Sequence, residues 1–200
     1  GSNDGTITCD ETILIPAGVD STRDNQGFIM NKQKDTSSLN LTNTGESEGY
    51  VDLGSATTIA DDAAASFVVW LKPDDLGANN YFLGTGSTDY MKINGHNILH
   101  LRADSSSVVV FTVGTITAKE WMHVAIVRAA DDKWYAYIDG VINGGASYVE
   151  KVLNEPFDYR YIGSRKFNEY SFRGSVDGFL IYSDALSAAE VKRNYNAGKR

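Results

Sequence analysis

Alternation of apolar and polar residues divides this chain into a series of short strands. In SFVVWLK (66–72), Phe67, Val69 and Leu71 fall on one face, while Val68 and Trp70 fall on the other. Because both faces are apolar, we predict a central strand in a sheet that is covered on both sides. The same kind of pattern predicts further strands at residues 12–15, 48–53, 81–83, 89–93, 98–102, 108–113, 121–128, 133–138, 159–162 and 172–182.

A single helix is predicted, near the end of the chain. Ser187 and Glu190 have the spacing of a capping box, in which each side chain bonds the backbone amide of the other residue. Gly198 is placed to end the helix. Many short strands separated by turns are typical of an all-β fold. We therefore predict an antiparallel two-sheet β-sandwich of the jelly-roll type with one short C-terminal helix.

Length and composition favour one domain. A chain of 200 residues with 42% hydrophobic residues can bury one substantial core. We predict a single domain over residues 1–200, with a loose N-terminus at residues 1–10. The opening Gly1-Ser2 resembles a cloning scar, so we expect a domain excised from a larger protein. No apolar run reaches the roughly 18 residues that a membrane span requires, and membrane insertion is not predicted.

Charge and cysteine content narrow the class of partner. The formal net charge is −8 and the pI is about 4.8. Such an acidic chain argues against a nucleic-acid partner, because binding phosphates requires clustered Lys and Arg. Cys9 is the only cysteine, which excludes an internal disulfide and a zinc site built from paired cysteines.

Four motifs in a fixed order carry a family resemblance: WMHVAIVR (121–128), WYAYIDG (134–140), YIGSR (161–165) and FRGSVDGFLIY (172–182). With YVDLG (50–54) and SFVVWLK, they resemble the laminin-G-like, pentraxin-like branch of the concanavalin A-like lectin/glucanase superfamily over residues 48–197. The resemblance implies two curved sheets, a surface that binds glycans or proteins at one rim or on the concave face, and frequent calcium binding. After Asp177, Gly178 and Leu180 depart from a family pattern that often has an acidic residue and then an Arg.

Two groups of polar and aromatic residues are candidates for binding a glycan. Such a site needs an aromatic ring to stack against a sugar, with Arg, Asn or Asp to bond its hydroxyls. The first group lies on one face of the hairpin around Asn94-Gly95 and consists of Tyr90, Lys92, His100 and Arg102. The second group lies in a predicted loop at residues 165–171 and consists of Arg165, Phe167, Asn168 and Tyr170.

One polar stretch is a candidate for calcium binding. Calcium prefers several carboxylate and carbonyl oxygens supplied by loops. Residues 18–26 supply Asp20, Asp24 and Asn25, and Asp177 would approach them if the first and last strands are neighbours, as they are in the relatives. We expect a structural calcium ion at these residues; the alternative is that Asp20 and Asp24 merely shape a turn.

Catalysis is not predicted. Glycoside hydrolysis uses two carboxylates at a fixed separation. Laminarinase-type glucanases, which resemble this chain in fold, carry them in an E-x-D-x-x-E pattern, and this pattern does not occur here. Adjacent acidic pairs such as Asp131-Asp132 fall in predicted turns. His123 lies among apolar residues of a strand, where a structural role is favoured over that of a base.

These features predict a non-catalytic, lectin-like module that binds an extracellular poly- or oligosaccharide. The module would belong to a multidomain protein and lie outside the cell, on a cell surface or on a virion. Two alternatives stay open. One is a structural or adhesive module, on a phage tail or a cell surface, that binds protein. The other is a divergent polysaccharide lyase or hydrolase.

Overall fold

The computed structural model of the protein describes residues 39–41, 49–77, 80–86, 88–103, 107–145, 151–166 and 169–199. In chain order, its strands are β1 (Leu39–Leu41), β2 (Val51–Ile59), β3 (Ala65–Pro73), β4 (Asn80–Gly84), β5 (Tyr90–Ile93), β6 (Ile98–Ala103), β7 (Ser107–Thr112), β8 (Met122–Arg128), β9 (Lys133–Ile138), β10 (Val141–Ile142), β11 (Lys151–Val152), β12 (Phe157–Ile162), β13 (Ser164–Lys166), β14 (Glu169–Ser171) and β15 (Gly174–Tyr182). The helix α1 (Ala188–Gly198) follows β15. The strand predicted at residues 12–15 lies outside the described residues.

The strands pair into two large antiparallel sheets, which confirms the predicted β-sandwich. The seven-stranded sheet has the order β1-β15-β3-β8-β9-β10, with β11 also paired to β9. The six-stranded sheet has the order β2-β12-β4-β5-β6-β7. β3 lies between β15 and β8, so the strand with two apolar faces is central, as predicted. β1 pairs with β15, which makes the first described strand and the closing strand neighbours.

Aromatic side chains pack between the two sheets. The ring of Phe67 on β3 lies 5.5 Å from the ring of Phe157 and 5.7 Å from that of Tyr159, both on β12 of the opposite sheet. Trp134 on β9 is fully buried, and its ring lies 6.2 Å from that of Phe157. Aromatic residues bury the largest apolar areas of any side chains, so these contacts hold the two sheets together.

Helix α1 covers the outer face of the seven-stranded sheet. Its residue Val191 belongs to a second buried cluster, together with Val68, Ala125, Val127 and Tyr137. The ring of Tyr195 stacks on Trp70, with ring centroids 5.7 Å apart. The predicted capping box is present: the Ser187 hydroxyl accepts from the Glu190 amide, and the Glu190 carboxylate accepts from the Ser187 amide. No helix in the described ranges is long and apolar enough to cross a membrane.

The closing strand β15 contains a bulge. Its pairing with β3 shifts register between Asp177 and Leu180, and Gly178 between them has a φ of +56°. Glycine adopts such an angle without a steric cost because it has no Cβ, and bulges often use it. Gly178, one of the two departures from the family pattern, therefore has a structural role in this bulge.

Strands β13 and β14 lie where a loop was predicted at residues 165–171, so that prediction is wrong. β13 and β14 pair with each other as a separate two-stranded sheet, and the hairpin packs against β4 of the six-stranded sheet. Each strand has three residues and little apolar alternation, which is why the sequence pattern did not reveal them. The sandwich thus carries helix α1 on one outer face and the β13–β14 hairpin on the other.

Candidate ligand-binding site

Strands β5 and β6 present a polar face on the outside of the six-stranded sheet. Their pairing places Tyr90 opposite Arg102 and Lys92 opposite His100. Directly opposite residues of antiparallel strands lie on the same face of a sheet. Met91, which lies between Tyr90 and Lys92, is fully buried in the core on the other face. The predicted grouping of these four polar and aromatic residues on one face is confirmed.

Tyr81 on β4 joins this face, although it was not among the predicted residues. Tyr81 pairs with Lys92, and its ring centroid lies 5.0 Å from that of Tyr90 in an edge-to-face contact. The register between β4 and β5 shifts between Tyr81 and Leu83. Simple alternation would place Tyr81 on the same face as the buried Leu83. Because of the register shift, the sequence pattern alone does not predict the orientation of Tyr81.

The β13–β14 hairpin brings the second predicted group onto the same surface. The guanidinium carbon of Arg165 lies 5.6 Å from the ring centroid of Tyr81 and 4.2 Å from that of Tyr170. The two groups predicted as separate sites are therefore adjacent. Phe167 and Asn168, the other members of the second group, lie outside the described residues.

Gly84 allows the hairpin to approach the sheet. A Cβ atom at Gly84 would come within 2.5 Å of the Arg165 carbonyl oxygen and 2.8 Å of its Cα. Contacts this short do not occur between real side chains and backbone. The backbone of β13 thus rests directly on β4, next to Tyr81.

Cations and tyrosine rings alternate across this surface, which we call the cation–tyrosine array: Tyr170, Arg165, Tyr81, Lys92, Tyr90 and Arg102. Lys92 Nζ lies 4.9 Å from the ring centroid of Tyr81 and 6.0 Å from that of Tyr90. The guanidinium carbon of Arg102 lies 5.9 Å from the Tyr90 centroid. A cation within about 6 Å of a ring centroid is attracted by the π electrons of the ring. These contacts link β4, β5, β6 and the β13–β14 hairpin into one surface.

The tyrosine rings of the array differ in exposure. Tyr81 is 5% exposed and Tyr90 is 7% exposed, whereas Tyr170 is 38% exposed. Stacking of a sugar requires an open ring face. Tyr90, which the sequence placed among the exposed aromatic candidates, is buried, with the Tyr81 ring 5.0 Å away. Among the three rings of the array, Tyr170 is the one that presents substantial surface.

The positive charges of the array act on one another. Burial is the main cause that lowers the pKa of Lys92; Tyr90 opposes the shift, and the charge of Arg165 adds to it. Burial also lowers the pKa of His100, and the charge of Lys92 lowers it further. His100 Nε2 lies 3.3 Å from Asn94 Nδ2, an amide that donates when Nε2 carries no proton. Repulsion between neighbouring like charges is therefore built into this surface.

His123 is buried beneath helix α1, in surroundings that do not suit a catalytic base. Its side chain is fully buried, and neither ring nitrogen has a hydrogen-bond partner among the described residues. Its ring lies 5.3 Å from that of Trp70 and 5.9 Å from that of Tyr195. Burial, with a smaller effect of Lys192, lowers the pKa of His123 to about 4. The imidazole is therefore neutral at pH 7 and acts as part of an aromatic cluster.

The acidic pair Asp131-Asp132 lies in a turn, as predicted. Asp132 has a φ of +62°, and its Oδ1 accepts a hydrogen bond from Arg128 Nη2 at 2.7 Å. Arg128 is fully buried, donates to the carbonyl oxygen of Ala60 at 2.8 Å and lies 5.3 Å from the ring of Trp134. Asp132 thus compensates a buried charge.

The calcium expectation stays a prediction. Asp20, Asp24 and Asn25 lie outside the described residues. Asp177 is half-buried on β15, opposite Trp70, and so belongs to the other sheet from the cation–tyrosine array. Within the ranges that the structure describes, no three His, Cys, Asp or Glu side chains form a cluster suited to a metal ion.

A match to a family model decides the family of this chain. Residues 44–192, well over half of the sequence, match the laminin G-like model of the concanavalin A-like lectin/glucanases superfamily. The chain belongs to this superfamily, in its laminin G-like branch. No curated protein matches the sequence.

Solved structures that share the laminin G-like fold include carbohydrate-binding proteins. Domain 4 of AbnA, an extracellular arabinanase from Geobacillus stearothermophilus, was solved with arabinotriose; it has a TM-score of 0.50 and 20% identity over 68% of this chain and 67% of that chain. A putative carbohydrate-binding protein from Bacteroides ovatus has a TM-score of 0.55 and 18% identity over 72% of this chain and 44% of that chain. A heptameric pentraxin from Limulus polyphemus has a TM-score of 0.54 and 15% identity over 78% of both chains. Identities this low establish a shared fold, and the match takes in less than half of the Bacteroides protein.

Proposed function

We propose that this laminin G-like domain is a non-catalytic carbohydrate-binding module for an extracellular poly- or oligosaccharide. The cation–tyrosine array carries the proposal, because it gathers ring surface and hydrogen-bond donors on one outer face of the sandwich. Tyr170 offers an exposed ring, and Arg165, Lys92 and Arg102 offer N–H groups for sugar hydroxyls. In a multidomain protein, such a module would act outside the cell, on a cell surface or on a virion.

The structural neighbours support a carbohydrate ligand without identifying the sugar. The AbnA domain is described in complex with arabinotriose, and the Bacteroides protein is described as a putative carbohydrate-binding protein. Both share the fold of this chain at 20% identity or less. The nature of the sugar must therefore be inferred from the residues of the array.

The composition of the array supports binding without catalysis. Its six residues include no carboxylate, whereas glycoside hydrolysis uses a pair of them. Asp89, next to Tyr90 in sequence, is 5% exposed. Its carboxylate accepts from the hydroxyl of Thr88 at 2.6 Å and from the amide of Asp158 at 3.4 Å. These bonds give Asp89 a structural role in joining β5 to β12.

A glycan array followed by calorimetry tests the proposal. We expect binding of at least one saccharide class, with a Kd on the order of micromolar to millimolar for a short oligosaccharide. Tyr170→Asn removes the exposed ring and keeps a residue type that tolerates the φ of +59° at this position. It should weaken binding about tenfold, the size of a lost stacking contact, with an unchanged melting temperature. An array without any hit, from folded protein, would contradict the proposal.

One observation favours a second candidate, an adhesive module that binds protein. Val108 is 47% exposed and Val110 is 37% exposed, and both lie on β7, the terminal strand of the six-stranded sheet. They pair with Arg102 and His100, which places them beside the array. Exposed β-branched residues on a terminal strand suit protein contact. A blank glycan array together with an oligomer in light scattering would favour this candidate.

The lyase or hydrolase alternative is tested separately. Incubation with a polysaccharide panel, followed by measurement of new reducing ends and of unsaturated products, should show no reaction. Product formation that an array variant abolishes would replace the proposed binding module with an enzyme.

A further inference from the structure

We propose that the cation–tyrosine array selects acidic saccharides, with a carboxylate or sulfate group bound among Arg165, Lys92 and Arg102. This inference rests on the proposed function, since the same surface binds the sugar, and it specifies the class of sugar. Uronates and sulfate esters share the relevant chemistry, an anionic group with several acceptor oxygens.

The covered rings give the first argument. A neutral sugar is held largely by stacking on open aromatic faces. Here Tyr81 and Tyr90 are 5% and 7% exposed, so the array offers a ligand mostly its cationic side chains. A surface that presents charged hydrogen-bond donors instead of open ring faces is suited to a ligand with strong hydrogen-bond acceptors, such as an anionic group.

Arg165 gives the second argument. Its guanidinium contacts the rings of Tyr81 and Tyr170, and it has no ion-pair partner among the described residues. Its Nε is buried and makes no hydrogen bond there. A guanidinium held against rings keeps N–H donors that match the oxygens of a carboxylate or sulfate. Arg165 is therefore the residue of the array best suited to bind the anionic group.

The collected charge gives the third argument. Burial and, to a smaller extent, the charge of Arg165 lower the pKa of Lys92, so these two positive charges lie close enough to interact. An anionic group placed beside Arg165 and Lys92 would be attracted by both charges. The chain as a whole carries −8, so the rest of its surface repels an anionic chain and the array becomes the favoured docking place.

The experiment compares pairs of saccharides that differ in one kind of anionic group. Oligogalacturonate is measured beside its carboxyl-reduced form, and sulfated beside desulfated chondroitin oligosaccharides, by calorimetry at low and moderate salt. These two pairs separate the carboxylate from the sulfate. In at least one pair, the form that carries the tested group should bind about tenfold more tightly than the form that lacks it, and its affinity should fall as salt rises. Arg165→Gln and Lys92→Gln should each remove most of this preference.

Arg193→Gln is the matched control. It removes the same charge from α1 on the opposite sheet, where Arg193 is largely exposed, and it should leave the preference unchanged. An equal loss in Arg193→Gln would show a general charge effect and overturn the inference. Hits on the glycan array that are all neutral, and that bind Arg165→Gln as well as the native protein, would overturn it while the proposed function stands. Absence of any saccharide hit would instead overturn the proposed function itself.

Discussion

The carbonyl oxygen of Arg165 occupies the space that a side chain at Gly84 would fill. The distance from an added Cβ to this oxygen would be 2.5 Å, so the backbones of β13 and β4 are in direct contact. Arg165 and Tyr170 reach the surface of the six-stranded sheet on this hairpin. Gly84 therefore determines where one half of the cation–tyrosine array lies relative to the other half.

Gly84→Ala should displace the β13–β14 hairpin. The added methyl group has backbone as its neighbour, so the variant should lose about 1–3 kcal/mol of stability. Saccharide binding should weaken about tenfold or more, because Arg165 moves away from Tyr81. Gly86→Ala is the control, since a Cβ there has nothing within 4 Å. Equal affinity and equal hydrogen exchange of residues 164–171 in both variants would contradict this role of Gly84.

Asp132→Asn should destabilise the fold much more than Asp131→Asn. Asp132 is paired at 2.7 Å with Arg128, whose side chain is 0% exposed, whereas Asp131 pairs with Lys133 and is 55% exposed. Loss of the partner of a buried charge costs about 3–5 kcal/mol, whereas solvent screens an exposed pair, so its loss should have little effect. Urea unfolding at pH 7 measures both. Similar midpoints for the two variants would contradict a compensating role of Asp132.

Stability should fall with acid because of His123. The folded protein has a pKa of about 4 at His123, against 6.5 for an unperturbed histidine. Between pH 6.5 and pH 4, His123 is protonated in the unfolded chain but neutral in the folded chain. The free energy of unfolding therefore decreases as pH falls toward 4, and His123 has no effect on it above pH 6.5. The loss should approach about 3 kcal/mol.

His123→Leu isolates this effect, because leucine fills the buried site without a titrating group. The difference in unfolding free energy between the native protein and His123→Leu should change by about 3 kcal/mol between pH 7 and pH 4. Urea titrations at several pH values measure it. Parallel pH profiles for the two proteins would rule out His123 as the source.

Binding of a sulfated oligosaccharide should strengthen as pH falls below neutrality. The pKa of His100 lies below its usual 6.5, so the ring is neutral at pH 7 and gains a positive charge in mild acid. Sulfate stays ionised throughout, and the change therefore comes from the protein. His100→Gln should bind with an affinity that is flat over this range. A pH dependence that survives in His100→Gln would assign it to another group.

Calcium binding through Asp20, Asp24, Asn25 and Asp177 predicts a response of chelator-treated protein to CaCl2. Titration should release or absorb heat and raise the melting temperature, with about 2.7 kcal/mol of stabilisation at one hundred times the Kd. Asp177→Asn should weaken this response, whereas Asp184→Asn, at an exposed position before α1, should not. Absence of heat and of any melting shift would contradict the prediction.

The sequence predicted elements that depend on local pattern. β5 and β6 follow period two and pair without a shift, so alternation correctly placed Tyr90 and Arg102 on one face. The register shift in β4 hid Tyr81, and the short strands β13 and β14 carry too few apolar residues to be recognised. The joining of the two predicted groups depends on contact between β13 and β4, which are distant in sequence. Local periodicity carries no information about such a contact.

The charge composition of the chain also failed to predict the local charge of this surface. The chain has no run of basic residues and a net charge of −8, which describes its average surface. Folding nevertheless brings Arg165 next to the hairpin of β5 and β6, on which the sequence had already placed Lys92 and Arg102. Net charge indicates how a whole protein attracts ions, but a local surface can carry the opposite sign.

The contacts of Lys92 and Arg165 with tyrosine rings also affect the entropy of binding. A free Lys or Arg side chain loses up to about 2 kcal/mol of rotational freedom when a ligand immobilises it. In the array, contacts with the tyrosine rings already restrict Lys92 and Arg165 in the unbound protein. Most of that ordering takes place when the chain folds, so a short ligand would meet a rigid set of charges and could bind through few contacts.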